Sequence, residues 1–155
     1  FNITVAPHWC RVALLDDPNG ILTHYSTIAY VDVDVVFNEK AFLHAAETHS
    51  NATWIMTAKI EQGKDTLRTS SFVIPSRKRA LAWIHEWAAH WQNAALQDQT
   101  VWNKLHACPS NGTTDDLSLN GLVCYFNAQV FGEVRHCGSW LSESQRIHCL
   151  RTPTQ

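Results

Sequence analysis

A run of β-branched and aromatic residues at 24–37, HYSTIAYVDVDVVF, is typical of a strand buried in a parallel sheet. Two carboxylates, Asp32 and Asp34, lie within it, although strands disfavour Asp and an unpaired buried carboxylate is costly. Residues two apart on a strand point to the same face, so their Cα atoms should lie about 6.6 Å apart on one side of the sheet. The sequence therefore predicts a compensating partner, and a cation is the first candidate.

The rest of the chain alternates between helical and strand-like patterns. The expected helices are 8–17, 38–50, 76–93 and 97–107. The further expected strands are 2–5, 53–60, 68–76, 121–132 and 145–150, with polar loops at 61–67 and 110–116. This alternation predicts one α/β domain over residues 1–155, built on a mostly parallel sheet flanked by helices. On the third helix, Trp83, Trp87 and Trp91 recur at helical spacing, which favours a core stripe over a sugar-stacking surface.

Composition removes two classes of partner. The net charge is −2 and Lys and Arg form no run longer than that in SRKR, so a nucleic-acid partner is not expected. No apolar stretch reaches the ~18 residues that a membrane span requires, so no membrane segment is expected within this chain.

Five cysteines and three glycosylation sequons, at Asn2, Asn51 and Asn111, point to the secretory pathway rather than to a reducing cytosol. A Cys137–Cys149 disulfide is the expected pair, and Cys108 with Cys124 is a second possible pair. A zinc site built from RHC at 135–137 and IHC at 147–149 is the alternative. It is disfavoured because adjacent residues on a strand point to opposite faces.

Carboxylates with few soft ligands suit Mg²⁺ or Mn²⁺, which commonly bridge a protein to substrate phosphates. The Asp32 and Asp34 pair therefore predicts a divalent ion and a diphosphate substrate at the carboxyl end of a strand. The alternative is a half-exposed strand in which Val31, Val33 and Val35 point inward and both carboxylates face water.

Several segments resemble GT-A nucleotide-diphospho-sugar glycosyltransferases, in the family's order over roughly residues 5–151. HYSTIAYVDVDVVF resembles the family's Asp-x-Asp strand, and PHWCRVALLDD the helix before it. LRTSSFVIPSRKRALAWIHEWAAHW resembles a later strand and helix. QDQTVWNKL is similar to the Asp-Gln-x-x-x-Asn element of the retaining galactosyl- and xylosyltransferase branches, and RIHCLR to the late His segment.

The resemblance implies a GT-A-like (Rossmann-like) fold that lacks the first nucleotide-binding strand and helix, hence a partial domain. It further implies a metal-dependent transfer of a sugar, with retention, from a nucleotide-diphosphate donor, in the first place a UDP-sugar, to a glycan or glycoprotein acceptor in the Golgi lumen. Mn²⁺ (or Mg²⁺) would be held by Asp32, Asp34 and His148.

By the same resemblance, Arg11, Asp32 and Asn103 would bind the donor, and Asp98 and Gln99 would line the sugar pocket as the catalytic pair. Asp98 could instead serve only as the N-cap of its helix.

Two other functions remain open from the sequence. One is a non-catalytic carbohydrate-binding domain, which Arg68-Thr69-Ser70 in place of the family's Asn-Thr-Gly allows. The other is a metal-dependent phosphoesterase that uses the same carboxylates.

Overall fold

The computed structural model of the chain describes residues 7–93, 96–108 and 121–153. The helices are α1 (Cys10–Asp16), α2 (Glu39–Thr48), α3 (Arg77–Ala89), α4 (Asp98–Leu105), α5 (Ala128–Phe131) and α6 (Glu143–Arg151). The strands are β1 (Ile28–Val31), β2 (Val35–Phe37), β3 (Trp54–Glu61), β4 (Lys64–Ile74), β5 (Leu122–Tyr125) and β6 (Glu133–His136). Short 3₁₀ turns cover Pro7–Trp9, Ile21–His24 and His90–Asn93. The strand expected at 2–5 and the loop expected at 110–116 lie outside the described residues.

The chain is of mixed α/β class, as predicted, but the prediction of a mostly parallel sheet is wrong. The main sheet has the order β1-β4-β3-β5. Strand β4 pairs antiparallel with both β1 and β3, and only β3 and β5 pair in parallel. Strands β1, β3 and β5 therefore run in one direction, with β4 inserted against them. The apolar composition of the strands indicated burial, whereas direction depends on how each strand is connected.

The run at 24–37 is not one strand. Its first part forms β1, which ends at Val31, and the chain then turns through Asp32-Val33-Asp34. Its last part forms β2, which pairs antiparallel with β6 in a second, two-stranded sheet. The backbone N–H of Asp32 donates to the carbonyl of Ser70 at 2.8 Å, and that of Val35 donates to the carbonyl of Asp32 at 3.0 Å. The two carboxylates thus lie in a turn, and the expectation that they share one face of a strand is wrong.

Three further segments differ from expectation. The segment 121–132, predicted as one strand, forms β5 and then α5, because the Asn127 side chain caps the helix by accepting from the N–H of Gln129. The polar stretch 61–67 is a tight hairpin between β3 and β4, because Gln62 and Gly63 both adopt positive φ angles of 51° and 74°, as a two-residue hairpin requires. The segment 145–150, predicted as a strand, belongs to α6, which begins with a capping box formed by Ser142 and Gln145. This reciprocal cap explains the helix in a segment that presents little apolar periodicity.

Helices cover both faces of the main sheet. Alternate residues of β3 and β4 point to opposite sides of the sheet, so each strand contributes side chains to two apolar clusters. The larger cluster lies under α1, α3 and α4 and contains four fully buried tryptophans: Trp9, Trp54, Trp87 and Trp102. The smaller lies under α2 and α5 around Phe42 and Phe131. Of the tryptophan stripe, Trp87 is buried and Trp83 and Trp91 pack partly buried against the core, as helical spacing predicts.

The structure contains two disulfides, Cys108–Cys124 and Cys137–Cys149, which are the two pairs named from the sequence. Because Cys137 and Cys149 are joined to each other, neither thiol can bind the zinc ion of the alternative site. Cys10 is the unpaired cysteine among the described residues. Helix α6 has no buried residue, so Cys137–Cys149 is a principal link between it and the rest of the fold. Within the described part of the chain, no helix has the length and apolar character that crossing a membrane demands.

Candidate functional site

A polar cleft of about 530 Å³ opens where β1 ends. Asp32 follows the carboxyl end of β1, the side on which open α/β sheets bind ligands. Charged and polar side chains from several parts of the chain line it. They include Arg11, Asp32, Arg68, Asp98, Gln99 and His136, and the exposed Glu61 adds a further carboxylate.

Arg11, in α1, connects two of these parts. Its Nη1 lies 3.2 Å from Asp32 Oδ1, and its Nε lies 2.9 Å from Asp98 Oδ2. The Nε hydrogen is directed to the carbonyl of His8 at 3.3 Å, so the contact with Asp98 is an ion pair rather than an aligned hydrogen bond. Nη1 also donates to the carbonyl of Thr69. One buried guanidinium thus holds two carboxylates, which leaves the group of three with a net negative charge.

Asp98 is the first residue of α4, and its side chain is among the most buried charged groups, with the residue 2% exposed. Gln97 occupies the N-cap position, so the N-cap expectation for Asp98 is displaced by one residue. Burial raises the pKa of Asp98 above its ordinary value, and the nearby Arg11 and the backbone N–H of Gln99 only partly oppose this. The carboxyl group is therefore easier to protonate in the folded chain than in water.

Tyr30 fixes the orientation of Asp32. Its hydroxyl donates to Asp32 Oδ1 at 2.6 Å, its ring stacks on Phe72 with 5.0 Å between centroids, and the Arg11 guanidinium lies 5.1 Å from the ring centre. Burial, together with the bond to Asp32, raises the pKa of Tyr30 well above its usual range, so the phenol keeps its proton and remains a donor.

A bulge in β4 forms the floor between these groups. The register with β3 passes from Met56↔Phe72 to Thr57↔Arg68, which leaves residues 69–71 of β4 without partners on β3. Bulges of this kind are common beside active sites because they redirect the strand. The backbone of Thr69 is held on both sides, by Gln99 Oε1 at its N–H (3.2 Å) and by Arg11 at its carbonyl. The helix carrying Asp98 and the helix carrying Arg11 therefore both bind the backbone of one residue, Thr69.

A second ionic chain runs beside the Asp32 turn. His136 Nε2 lies 3.3 Å from Asp34 Oδ1, and Arg68 Nη2 lies 3.2 Å from His136 Nδ1. Arg68 Nη1 lies 3.4 Å from Glu133, a buried residue whose other oxygen accepts from the Ser71 hydroxyl at 3.3 Å. A guanidinium has only donors, so Nδ1 of His136 must accept. The neutral ring consequently carries its hydrogen on Nε2 and donates it to Asp34.

The structure brings together four of the residues singled out from the sequence: Arg11, Asp32, Asp98 and Gln99 all line the cleft. Asp34 lies at the same turn but pairs with His136. Asn103 does not line the cleft. Its side chain accepts from the N–H of Leu67 at 2.6 Å and donates to the carbonyls of Leu67 (2.8 Å) and Gln99 (2.9 Å), which ties α4 to β4.

His148 is exposed on α6, and the part of the chain that the structure describes contains no group of three His, Cys, Asp or Glu side chains arranged as a metal site. Asp32, Asp34 and His148 are thus not assembled around one point. A hard divalent ion needs only one or two carboxylates when phosphates and water complete its shell, and Asp32 and Asp34 offer that chemistry at the partly exposed turn. Such an ion would be held by these two carboxylates, with His136 as the neighbouring imidazole.

Four residues of this site were missed from the sequence: Tyr30, Arg68, Glu133 and His136. A signal was present for His136, since strand alternation separates it from Cys137 and leaves its ring free to face another element. For Glu133 the sequence signal is weaker, because no pattern in EVRH at 133–136 predicts that its glutamate is buried.

Comparison with known proteins found no matching family model, no matching curated protein and no matching solved structure.

Proposed function

We propose that the chain carries a metal-dependent glycosyltransferase site, which moves a sugar from a nucleotide-diphosphate donor to a glycan or glycoprotein acceptor, with retention and on a GT-A-like fold. The observation that carries the proposal is the convergence of Arg11, Asp32, Asp98 and Gln99 on one cleft at the end of β1. These four residues lie in three sequence segments that resemble the family, and separate elements of the fold bring them to one place.

The side chains of the cleft suit a sugar ligand. Gln99 already accepts one hydrogen bond from Thr69, which orients its amide group within the cleft. Asp98 is placed by Arg11, and burial raises the pKa of its carboxyl group, which suits that group to exchange hydrogen bonds with a hydroxyl group. Arg11 holds Asp98 and Asp32 in fixed relation, so its part in this proposal includes positioning as well as charge.

A divalent ion such as Mn²⁺ or Mg²⁺ would supply charge stabilisation for a departing diphosphate. Asp32 and Asp34 would hold it, and His136 is better situated than His148 to assist because it contacts Asp34 directly. Arg68 lines the same cleft and brings a second positive group to it.

The two disulfides are compatible with a secretory or extracellular setting, since disulfides persist in oxidising compartments. Residence in the Golgi lumen and use of a UDP-sugar are parts of the proposal.

The test is a calorimetric titration of the protein with UDP in the presence and absence of Mn²⁺, followed by an assay for release of UDP from UDP-sugars. We expect Mn²⁺-dependent binding that is lost in Asp34→Asn. The matched control, Glu47→Gln, changes an exposed carboxylate of α2 that does not line the cleft, and it should bind as the wild type does. Equal binding by all three proteins would refute the metal-site proposal, and inversion at the product anomeric carbon would refute retention.

A non-catalytic carbohydrate-binding domain is the second candidate. It is favoured by the ion pair between Arg11 and Asp32, which engages both groups within the protein. Saccharide binding without any turnover of UDP-sugars would support it.

A further inference from the structure

Trp140 is a large aromatic side chain left in solvent beside the cleft. It is 68% exposed and belongs to the turn between β6 and α6, next to Ser139, which lines the cleft. Four other tryptophans of the chain are completely buried, so the exposure of Trp140 is unusual for an indole side chain in this fold. An exposed aromatic next to a polar cleft marks a candidate contact with a ligand.

The turn that carries Trp140 is held firmly. The backbone N–H of Cys137 donates to the carbonyl of Asp34 at 2.6 Å, the disulfide to Cys149 anchors the turn to α6, and the N–H of Leu141 donates to the carbonyl of Gly138 at 3.1 Å. These bonds fix the backbone that carries the indole relative to the Asp34 turn before any ligand arrives. A group fixed in advance loses little conformational entropy on binding.

Two contacts set the orientation of the ring. The rings of Trp140 and His136 meet edge to face, with centroids 5.0 Å apart and an interplanar angle of 73°. The indole also lies against the Cα of Gly138, where a Cβ would overlap the six-membered part of the ring. Glycine at this position therefore gives the indole its place beside His136.

We propose that Trp140 is the stacking platform of a saccharide subsite, which receives the acceptor glycan. The C–H face of a sugar ring is apolar and packs on an indole, whose π face is negative, while the sugar hydroxyls require hydrogen-bond acceptors at the edge. Asp34, which is partly exposed and contacts the same His136, and the hydroxyl of Ser139 supply such acceptors. A neutral, hydroxyl-rich ligand suits this carboxylate, whereas an unmetallated phosphate is repelled by it. The inference rests on the proposed function, because it takes the acceptor of that reaction to be a saccharide.

The test uses the full chain and a panel of defined oligosaccharides: N-acetyllactosamine, xylotriose, lactose and a high-mannose glycan. Binding is followed by the indole Nε1–H resonance of Trp140, assigned from its loss in Trp140→Phe, and by calorimetry. At least one saccharide should shift that resonance. Trp140→Ala should bind it about tenfold to thirtyfold more weakly, as expected for loss of a central aromatic contact, and Trp140→Phe should weaken it less.

Gly138→Ala provides a second variant that retains the tryptophan but displaces its ring, and we expect a loss close to that of Trp140→Ala. The matched control is Tyr25→Ala, which removes another exposed aromatic, 56% exposed, located before β1 and so at the other end of that strand from Asp32. It should bind normally. Thermal unfolding of every variant establishes that binding losses are not losses of folding.

The inference is overturned if no saccharide of the panel shifts the Trp140 resonance, or if Trp140→Ala and Gly138→Ala bind as tightly as the wild type. UDP with Mn²⁺ is titrated into the same proteins. Retained UDP binding together with absent saccharide binding would refute only the platform, whereas absent UDP binding would count against the proposed transferase and leave the saccharide result to stand by itself.

Discussion

Arg11 and Asp98 form a buried ion pair, with 2.9 Å between Nε and the carboxylate, although they belong to α1 and α4 and lie far apart in the sequence. A charge left without its partner in such a place cannot be solvated by water. The pair therefore links the stability of the domain to the geometry of the cleft.

Removing the guanidinium by Arg11→Met should lower the free energy of unfolding by about 3–5 kcal/mol, because the buried Asp98 loses its counter-charge and must either stay charged without a partner or take up a proton. Urea unfolding measures it. The control is Arg146→Met, at an exposed position of α6, which should change stability little. The double variant Arg11→Met, Asp98→Asn should recover part of the loss. If the single variant were as stable as the wild type, the pair would not be a structural link.

Asp98 should give the protein a specific dependence on pH. Its pKa is raised in the folded state, so the folded chain binds the proton more tightly than the unfolded chain, whose carboxyl titrates near 3.8. The corresponding stability is fully present below 3.8 and is lost as pH rises through the folded-state pKa. Urea unfolding between pH 3.5 and 7 should show this loss in the wild type, relative to Asp98→Asn. The control Asp65→Asn removes an exposed carboxylate, and its unfolding free energy should vary with pH as that of the wild type does. If the difference in unfolding free energy between the wild type and Asp98→Asn did not change with pH, the prediction would be contradicted.

Asn103 should act through the fold. Asn103→Ala removes three hydrogen bonds to the backbone of β4 and α4, and we expect a loss of about 1–3 kcal/mol in unfolding free energy because Leu67 keeps an unpaired N–H and carbonyl. Differential scanning calorimetry measures the change. A variant that unfolds normally but loses UDP binding would instead support the donor-binding role expected from the sequence. Gln129→Ala, on α5, serves as the surface control.

His136 should be held in one tautomer by Arg68. At a pH at which the ring is neutral, ¹⁵N NMR should report the ring hydrogen on Nε2 alone, because Arg68 donates to Nδ1. In Arg68→Met, the Nδ1–H form should become populated. The resonances are assigned by their absence in His136→Gln. Finding the hydrogen on Nδ1 in the wild type would mean that the ring faces Arg68 and Asp34 in the reverse sense.

Helix α6 should depend on its disulfide. Replacing both Cys137 and Cys149 by Ala should lower the free energy of unfolding by about 2–4 kcal/mol, since the cross-link closes a short loop and the helix buries no residue of its own. Amide hydrogen exchange should accelerate across 143–151. Cys10→Ala, at the unpaired cysteine, is the control and should leave exchange in α6 unchanged.

Local sequence patterns determined much of the secondary structure. Helical spacing in α3, turn residues before β1, and the polar start of α4 are local signals, and the structure bears them out. The disulfide pairs were also anticipated, although four cysteines allow other pairings. Arg11, Asp32, Asp98 and Gln99 were singled out from motifs, and they meet in the cleft.

The sequence by itself thus determined the α/β class, the helices α1 to α4 and the chemical nature of the candidate residues, because these follow from short-range periodicity and side-chain type. Only the tertiary structure decided that β4 runs against its neighbours, that residues 24–37 break at a turn, and that His136 rather than His148 lies beside Asp34. The physical reason is that strand direction and ion pairing depend on contacts between distant segments, whose energies no local pattern records.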